Sequence, residues 1–568
     1  MSRLGHTEFD IGEFARFPDS TEEAYTYVRS SNQFPSIFND VIGPVMIGHS
    51  SSHTAASVRI GNVIRCIAGD ERIKSIRFSF DTQSSLAETY SSQGSDIGLL
   101  SGILGFQTFD GRIPNALALA DKEGIEYSFE VKDIGPGHPN AYYIEFVTTE
   151  GTQRRLTAVS TGGGMIEITK YMGFETSIDC GFFETLIICG DSRYEEIVQI
   201  LSGLDPGSIK IAVSKNDGKA LINVKSIEEL DLCKIGISKD KITPPAHVSY
   251  SSCGFSNMSD RACGLFFADI RQIRPVLPVM SQLIPSVPFI TAEGILEYAE
   301  RSGLPLWELA VLYESERGGF SPGEVMDRMM GIIHTLRSSL ATEDNDEIDD
   351  RILPNQSKLM DVSPNIIGGR FNKNVIKYVT RFMDIKASMG IFVAAPTAGS
   401  CGCVIGTVFA LGEELQLSGI DIARACLSAG IIGVLIAHHS TFAAEVAGCQ
   451  AECGSGSGMC AAACAGVMGG SVKTCISAAS MALQNIFGMV CDPVGNKVEV
   501  PCLGKNIMSA FNAIACANMA MAGYDEVIPL DETIAAMDSV GRSIPRELRC
   551  TGLGGLSQTK TGRKTAKG

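Results

Sequence analysis

With 568 residues the chain is long enough for roughly three or four domains, so a single core is excluded. It carries 47 basic against 64 acidic residues, a net charge of −17, and no Lys/Arg-rich patch with interleaved aromatics, which argues against nucleic acid as a partner. Twelve of its eighteen cysteines lie at or after Cys401, which points to reduced thiols and metal chemistry in the C-terminal half rather than a disulfide framework.

The first residues, MSRLGHTEFDIGEF, lack the apolar centre of a secretory signal. The longest apolar runs, such as Ile431–Ala437, fall short of the ~20 residues that span a bilayer. A cytoplasmic protein with no membrane partner is therefore expected, its basic tail Lys560–Lys567 reading as a solvated end. In Ile42–Gly69, Gly48–Thr54 is too rich in Ser and His for core, while Val58, Ile60, Val63, Ile64 and Ile67 recur at roughly helical spacing. That reads as a polar loop feeding a helix N-terminus, able to receive a carboxylate, although ordinary capping is the simpler reading. Strand-like alternation opens Ile76–Tyr90, a Gly-hinged loop, a buried helix and a turn at Asp110-Gly111 come next, and His138-Pro139-Asn140 leads into further strands. Together these predict an α+β domain over residues 1–178.

From Phe182 the pattern becomes a short βαββ module, ETLIICG, EEIVQILSGL, IKIAVSK and KALINVKS. Its size and order resemble an ACT domain over 179–236, but Asp191–Tyr194 lacks the glycine usual at an ACT ligand site. Residues 237–287, with ITPPAH and several prolines, read as a connection. From 288 to 568 the pattern is helical and dense in Ala, Gly, Ser and Cys, predicting a compact all-α domain, with the acidic Thr342–Arg351 as an exposed loop.

Within that last domain Val490–Cys502, VCDPVGNKVEVPC, sets two cysteines around a turn-rich loop, and an extended VEV run would aim Cys502 back towards Cys491. Such a pair can grip a metal, and Cys449 in GCQAE is the best third thiol for a [4Fe–4S] cluster with one open iron. Cys449/Cys453 and Cys460/Cys464, each spaced i, i+4, could instead bind zinc, but small buried packing is the commoner use of such cysteines, as for Cys401 and Cys403.

SSSHT at Ser50–Thr54, FDGRIP, HPN, TGGGMIEIT, APTAGSCG, GCQAE, CDPV, VPC and TGLGGL, in this order, resemble the iron–sulfur-dependent L-serine dehydratases, in the bacterial two-chain form with the beta and alpha parts fused. The resemblance implies a lyase of amino acid metabolism and gluconeogenesis, taking L-serine to pyruvate and ammonia without pyridoxal phosphate. The cluster ligands carry over onto Cys449, Cys491 and Cys502. The substrate loop carries over onto Ser50, Ser51, Ser52, His53 and Thr54, with Pro396, Thr397, Ala398 and Gly399 facing it. A small amino acid is the implied partner, and a homodimer the expected assembly. An open iron can act as Lewis acid on the leaving hydroxyl while a base takes the Cα proton.

Four departures stand near the expected substrate. Gln93 replaces the histidine of a GHGTD-type loop, which leaves His53, His438 or His439 as base; Thr441–Ala447 is altered; His49 replaces proline; and Cys550 replaces glutamate, where it reads as a fourth ligand, a redox handle or a neutral replacement. Elimination from L-cysteine, a substituted serine or a hydroxy acid, and a catalytically silent amino-acid or redox sensor, are the alternative readings.

Overall fold

The computed structural model describes residues 34–232 and 267–566, apart from 136, 206, 278–280, 343–350 and 364–365. The opening polar segment, most of the expected connection including ITPPAH, and most of the acidic loop lie outside the described residues.

The N-terminal part is built on a six-stranded sheet. Its strands are β2 (Ile73–Asp81), β3 (Glu126–Lys132), β4 (Ala141–Thr148), β5 (Gln153–Gly162), β6 (Met165–Tyr171) and β7 (Phe174–Ile178), in the order β3-β2-β4-β5-β6-β7. β2 and β3 run parallel and the other neighbours antiparallel. In β4 the side chains of Tyr142, Ile144 and Phe146 point inward at every second position, the period of a half-buried strand. The helices Ala56–Ala68 and Ser95–Ile103 bury their apolar residues in the same core. They cross where Gly61 meets Gly102, so closely that a Cβ on either would strike the other helix's backbone. This close crossing ties the segment before the first helix to Gln93, just before the second.

β8 (Phe183–Gly190), a helix Tyr194–Leu201, β9 (Ile209–Asn216) and β10 (Lys219–Ser226) follow in the β-α-β-β order read from the sequence. Phe267–Ile273, read as connection, is instead a strand, β11, which pairs with β8 and gives the sheet order β11-β8-β10-β9. β8 also carries Glu184, fully buried beside Lys225 at 3.6 Å, while Lys225 donates to Asp179 at 2.7 Å. Burial pushes the Glu184 carboxyl up to about 8 against the pull of Lys225. The folded chain therefore holds a proton that the unfolded chain has lost above its ordinary value of 4.5, so Glu184 lowers stability as pH rises between 4.5 and about 8. Glu184→Gln is expected to flatten that fall by up to ~1.4 kcal/mol per pH unit, checked by thermal unfolding across the window; an unchanged slope would refute the assignment.

The C-terminal part is helical. Its helix Gly419–His439 is long and apolar enough to cross a membrane, unlike the shorter runs counted in the sequence, because its charges Asp421 and Arg424 sit in the first turns. Most of its residues between Ile422 and Ile436 are buried, and it packs on the helices Leu306–Gly318, Pro322–Ala341 and Ser455–Val467, so it is a core helix here.

Residues 34–47, sequence-assigned to the N-terminal domain, pack with these helices instead. Ile37, Phe38, Val41, Ile42 and Met46 belong to the helical core, Ile37 and Val41 lying against Gly430 and Gly433, where any Cβ would collide with them. Ser36 Oγ donates to the buried Glu314 at 3.1 Å, and β1 (Val45–Met46) pairs with β12 (Phe392–Val393). This crossing carries the chain from the helical core directly into Gly48–Thr54, so the SSSHT segment is pinned at the seam between the two parts.

Candidate metal centre

Three separate segments deliver the thiols. Cys449 follows the short helix Ala444–Ala447 and leads into a π-helical turn, Gln450–Gly454, that runs on as the helix Ser455–Val467. Single π-turns of this kind concentrate at functional sites. Cys491 bridges Arg549: its N–H donates to Leu548 O at 2.7 Å, and its carbonyl accepts from Cys550 N–H at 2.9 Å. Cys502 opens the helix Cys502–Met521.

The VEV run is not extended. Residues 498–501 form a turn, in which buried Glu499 accepts from Ile352 N–H and Leu353 N–H at 3.2 and 2.9 Å and Lys386 Nζ donates to Val498 O at 2.5 Å. These buried bonds override the β-branched preference, so Cys502 is aimed by a helix start and not by a strand. Asp492 fixes the loop from the other side, accepting from Lys505 Nζ and Leu556 N–H, each at 2.9 Å.

Cys449 Sγ, a Glu452 carboxylate oxygen and Cys491 Sγ lie within 4.8 Å of one another. Hydrogen bonds from Cys453 and Cys491 hold the Cys449 thiol well below its usual range, and Cys491 is hydrogen-bonded in turn to Cys550. Cys502 falls outside that set, its thiol raised by burial and then by the charge of Cys449. All five sulfurs are free and buried. Burial, then the charge of Cys449, pushes the Glu452 carboxyl up to about 8, while Thr397 Oγ1 donates to it at 2.7 Å.

The Ser50–Thr54 segment roofs this group. It is not a capping loop: residues 51–55 form a buried π-helical turn, and the Ser50 hydroxyl goes to His53 Nδ1 at 3.1 Å. Thr89 Oγ1 donates its one proton to Ser85 O at 2.8 Å, so its 2.8 Å contact with His53 Nε2 makes Nε2 the protonated nitrogen. Nδ1 is then the acceptor of the Ser50 hydroxyl, and it lies 3.6 Å from Glu445 Oε1. Burial lowers the imidazole to about 3 and raises the Glu445 carboxyl. Ser51 Oγ accepts from Ala398 N–H at 3.1 Å, so the serine-rich segment and the Pro396–Gly399 turn meet directly, and Gly399 O accepts from Asn506 Nδ2 at 2.7 Å. Ser52 is buried in the same turn, and Thr54 Oγ1 donates to Gln93 O at 2.8 Å.

Comparison with known proteins bears on this arrangement. A family profile described as serine dehydratase alpha chain matches residues 301–557. The chain is 34% identical to the L-serine dehydratase alpha chain of Peptoniphilus asaccharolyticus over 48% of its own length and 96% of that relative. The chain belongs to the iron–sulfur-dependent L-serine dehydratase family, a family of enzymes. It is also 45% identical to a probable L-serine dehydratase alpha chain of Bacillus subtilis, over 32% of this chain and 61% of that one. To the separate beta chain of the same organism it is 38% identical, over 37% of this chain and 89% of that one. Both subunits of a two-chain dehydratase are thus represented in one polypeptide here.

Of the residues that the dehydratase motifs single out, the structure brings Cys449 and Cys491 together beside Glu452, which Thr397 holds, while Cys502 falls outside that set. It does not bring His438 and His439 there: His438 stacks on Phe34 at 6.3 Å, and exposed His439 lies 3.2 Å from Ile290 O. Gln93, 1% exposed, offers no base either; its amide donates to Cys550 Sγ at 3.3 Å. Cys460 and Cys464 lie 3.9 Å apart in the dry helix core with Cys403 bonded to Cys460, away from polar ligands other than Thr407. Sequence reasoning assigned no role to Glu445, Glu452, Thr89, Asn140, Asn506 or Lys505. The signal for Glu452 was its place three residues after Cys449, one helical turn on, in a motif that was read for its thiol alone.

The donor set fits an iron–sulfur cluster: the soft thiols of Cys449 and Cys491 meet beside Cys453 and Cys550, Lys505, against the pull of burial, is raised by the charges of Cys449 and Cys491, and Ala444 and Met489 complete an apolar wall.

Proposed function

We propose that this chain is a [4Fe–4S]-dependent lyase that eliminates water from L-serine, releasing pyruvate and ammonia, with Cys449, Cys491 and Cys502 holding the cluster. The observation that carries the reading is that Ser51 contacts Ala398 in the turn whose Thr397 holds Glu452, the carboxylate grouped with Cys449 and Cys491. Two buried polar side chains, Asn140 and Glu445, meet each other beside Cys449. Such a buried amide and carboxyl pair suits the amino group of a small amino acid.

The cluster, when bound, supplies a Lewis acid for the leaving hydroxyl. His53 Nδ1, the unprotonated nitrogen of a neutral ring held by Thr89, accepts the Cα proton. The electrons of that C–H bond form the Cα–Cβ double bond, the Cβ–O bond breaks, and the hydroxyl leaves as water with the proton that His53 took, which returns the ring to its neutral form. Aminoacrylate then tautomerises to an imine that water hydrolyses. The buried roof of Ser51, Ser52 and Thr54 excludes bulk solvent from the reacting atoms.

Anaerobic assay of the cluster-loaded protein with serine, threonine and cysteine tests the substrate. Equal amounts of pyruvate and ammonia from L-serine are expected, with slower turnover of the others. Turnover of cysteine with none of serine would overturn the substrate assignment.

A further inference from the structure

Asn506 is an amide in a dry place. It is 0% exposed and lies in the helix Cys502–Met521, one turn after Cys502 and on the face that buries Ala510 and Ala513. An apolar side chain of that size would pack there without any polar group to satisfy, so the amide is explained by what it bonds. Its Oδ1 accepts from Cys403 N–H at 3.0 Å. Its Nδ2 donates to Gly399 O at 2.7 Å and to Cys502 O at 2.9 Å, with Cys453 Sγ 3.6 Å away. One acceptor facing an N–H and two donors facing carbonyls admit a single orientation of the amide.

These bonds reach two different elements of the site. Cys403 N–H is an unsatisfied donor in the first turn of the helix Cys401–Glu414, which Ser400 leaves without a side-chain cap, so Asn506 caps that helix from a neighbouring one. Gly399 ends the Pro396–Gly399 turn, whose other side lies on Glu452: a Cβ on Gly399 would stand 2.9 Å from Glu452 Oε1, inside contact distance. One residue back, Ala398 N–H donates to Ser51 Oγ at 3.1 Å. A line of hydrogen bonds therefore runs from the helix that Cys502 opens, through Asn506 and the turn, to the serine-rich segment. His53 is anchored separately through Thr89, and Cys491 through Leu548 and Cys550.

We propose that Asn506 is a positioning residue of the substrate site. By holding Gly399 O it sets how closely the Pro396–Gly399 turn approaches Ser51, and so how tightly the substrate is bound, while proton transfer at His53 does not depend on it. The proposal rests on the lyase reading above and adds to it the residue that fixes one wall.

The test compares wild type, Asn506→Ala and Asn506→Asp as full-length, cluster-loaded protein, with iron content and thermal unfolding measured first. Aspartate keeps the shape and the bond to Cys403 N–H but offers Gly399 O no donor, so it separates the helix cap from the hold on the turn. Both variants are expected to keep their iron and to raise KM for L-serine about tenfold with kcat within about twofold of wild type, the pattern of binding lost equally from ground state and transition state. Hydrogen–deuterium exchange reads the same tie without turnover: exchange across 396–400 is expected to rise about tenfold in both variants and to stay at the wild-type rate in the loop around Cys491. An unchanged KM, a fall in kcat with KM unchanged, or loss of iron from both variants would overturn the proposal, the last by making Asn506 a support of the thiols and not of the turn. Wild type that loads iron yet releases no pyruvate from L-serine would sink the lyase reading instead, and the exchange measurement would still judge the tie on its own.

Discussion

Replacing Cys491 by serine is expected to leave the anaerobically prepared protein colourless, with iron at background and no turnover of serine. Its thiol is the hub of the group, bonded to both Cys449 and Cys550, and its donor atom falls within 4.8 Å of those of Cys449 and Glu452. A serine hydroxyl is a harder and far less acidic donor, so it does not replace a thiolate on iron. The loop around it should survive the change, because Asp492, Lys505 and Leu556 and the backbone bonds to Leu548 and Cys550 hold it without the sulfur. Loss of iron with an unchanged circular dichroism spectrum is therefore the expected pair of results. Cys460→Ser, in the dry helix core, serves as the contrast and should keep its iron. A full iron complement in Cys491→Ser would mean that other thiols hold the metal.

His53→Asn is expected to keep the cluster and lose turnover by about 10²–10⁴-fold, the range for removal of a positioned general base. The amide can still meet Ser50 or Thr89 but has no lone pair basic enough to take a proton from carbon. The pH dependence gives a second handle. Burial holds the imidazole down at about 3, so it stays in its neutral, proton-accepting form as pH falls from 7 to 5, where an ordinary histidine would become charged. Wild-type kcat/KM should accordingly show no loss from His53 protonation in that interval. A limb centred near the ordinary value of 6.5, present in wild type and absent in the variant, would show that His53 is far more hydrated in the working enzyme than in this fold.

Much of this site was legible in the sequence because its chemistry sits in short contiguous motifs. GCQAE, CDPV and SSSHT each carry a thiol or a hydroxyl run too polar for the apolar pattern around it, and those are the segments that meet. What could not be read was set by long-range packing. Gln93 and Cys550 stand out in the sequence only as departures from the family's motifs, and their contact depends on the Gly61–Gly102 crossing and on the bridge between Cys491 and Arg549. The VEV run has strand-forming residues, yet buried Glu499 and Lys386 bend it into a turn. Residues 34–47 look like the start of the α+β domain by position, but Ile37 and Val41 fit against glycines nearly four hundred residues away. His438 and His439 drew notice for their residue type, while the end of a long core helix carries them to the periphery.

The central claim is that the sulfurs gathered at 449, 491 and 502 hold a four-iron cluster, and the Mössbauer spectrum of the anaerobically prepared wild-type chain tests it most directly. The account predicts the signature of a cubane [4Fe–4S] centre. A spectrum of isolated mononuclear iron, or a protein that takes up zinc and excludes iron and sulfide, would contradict it.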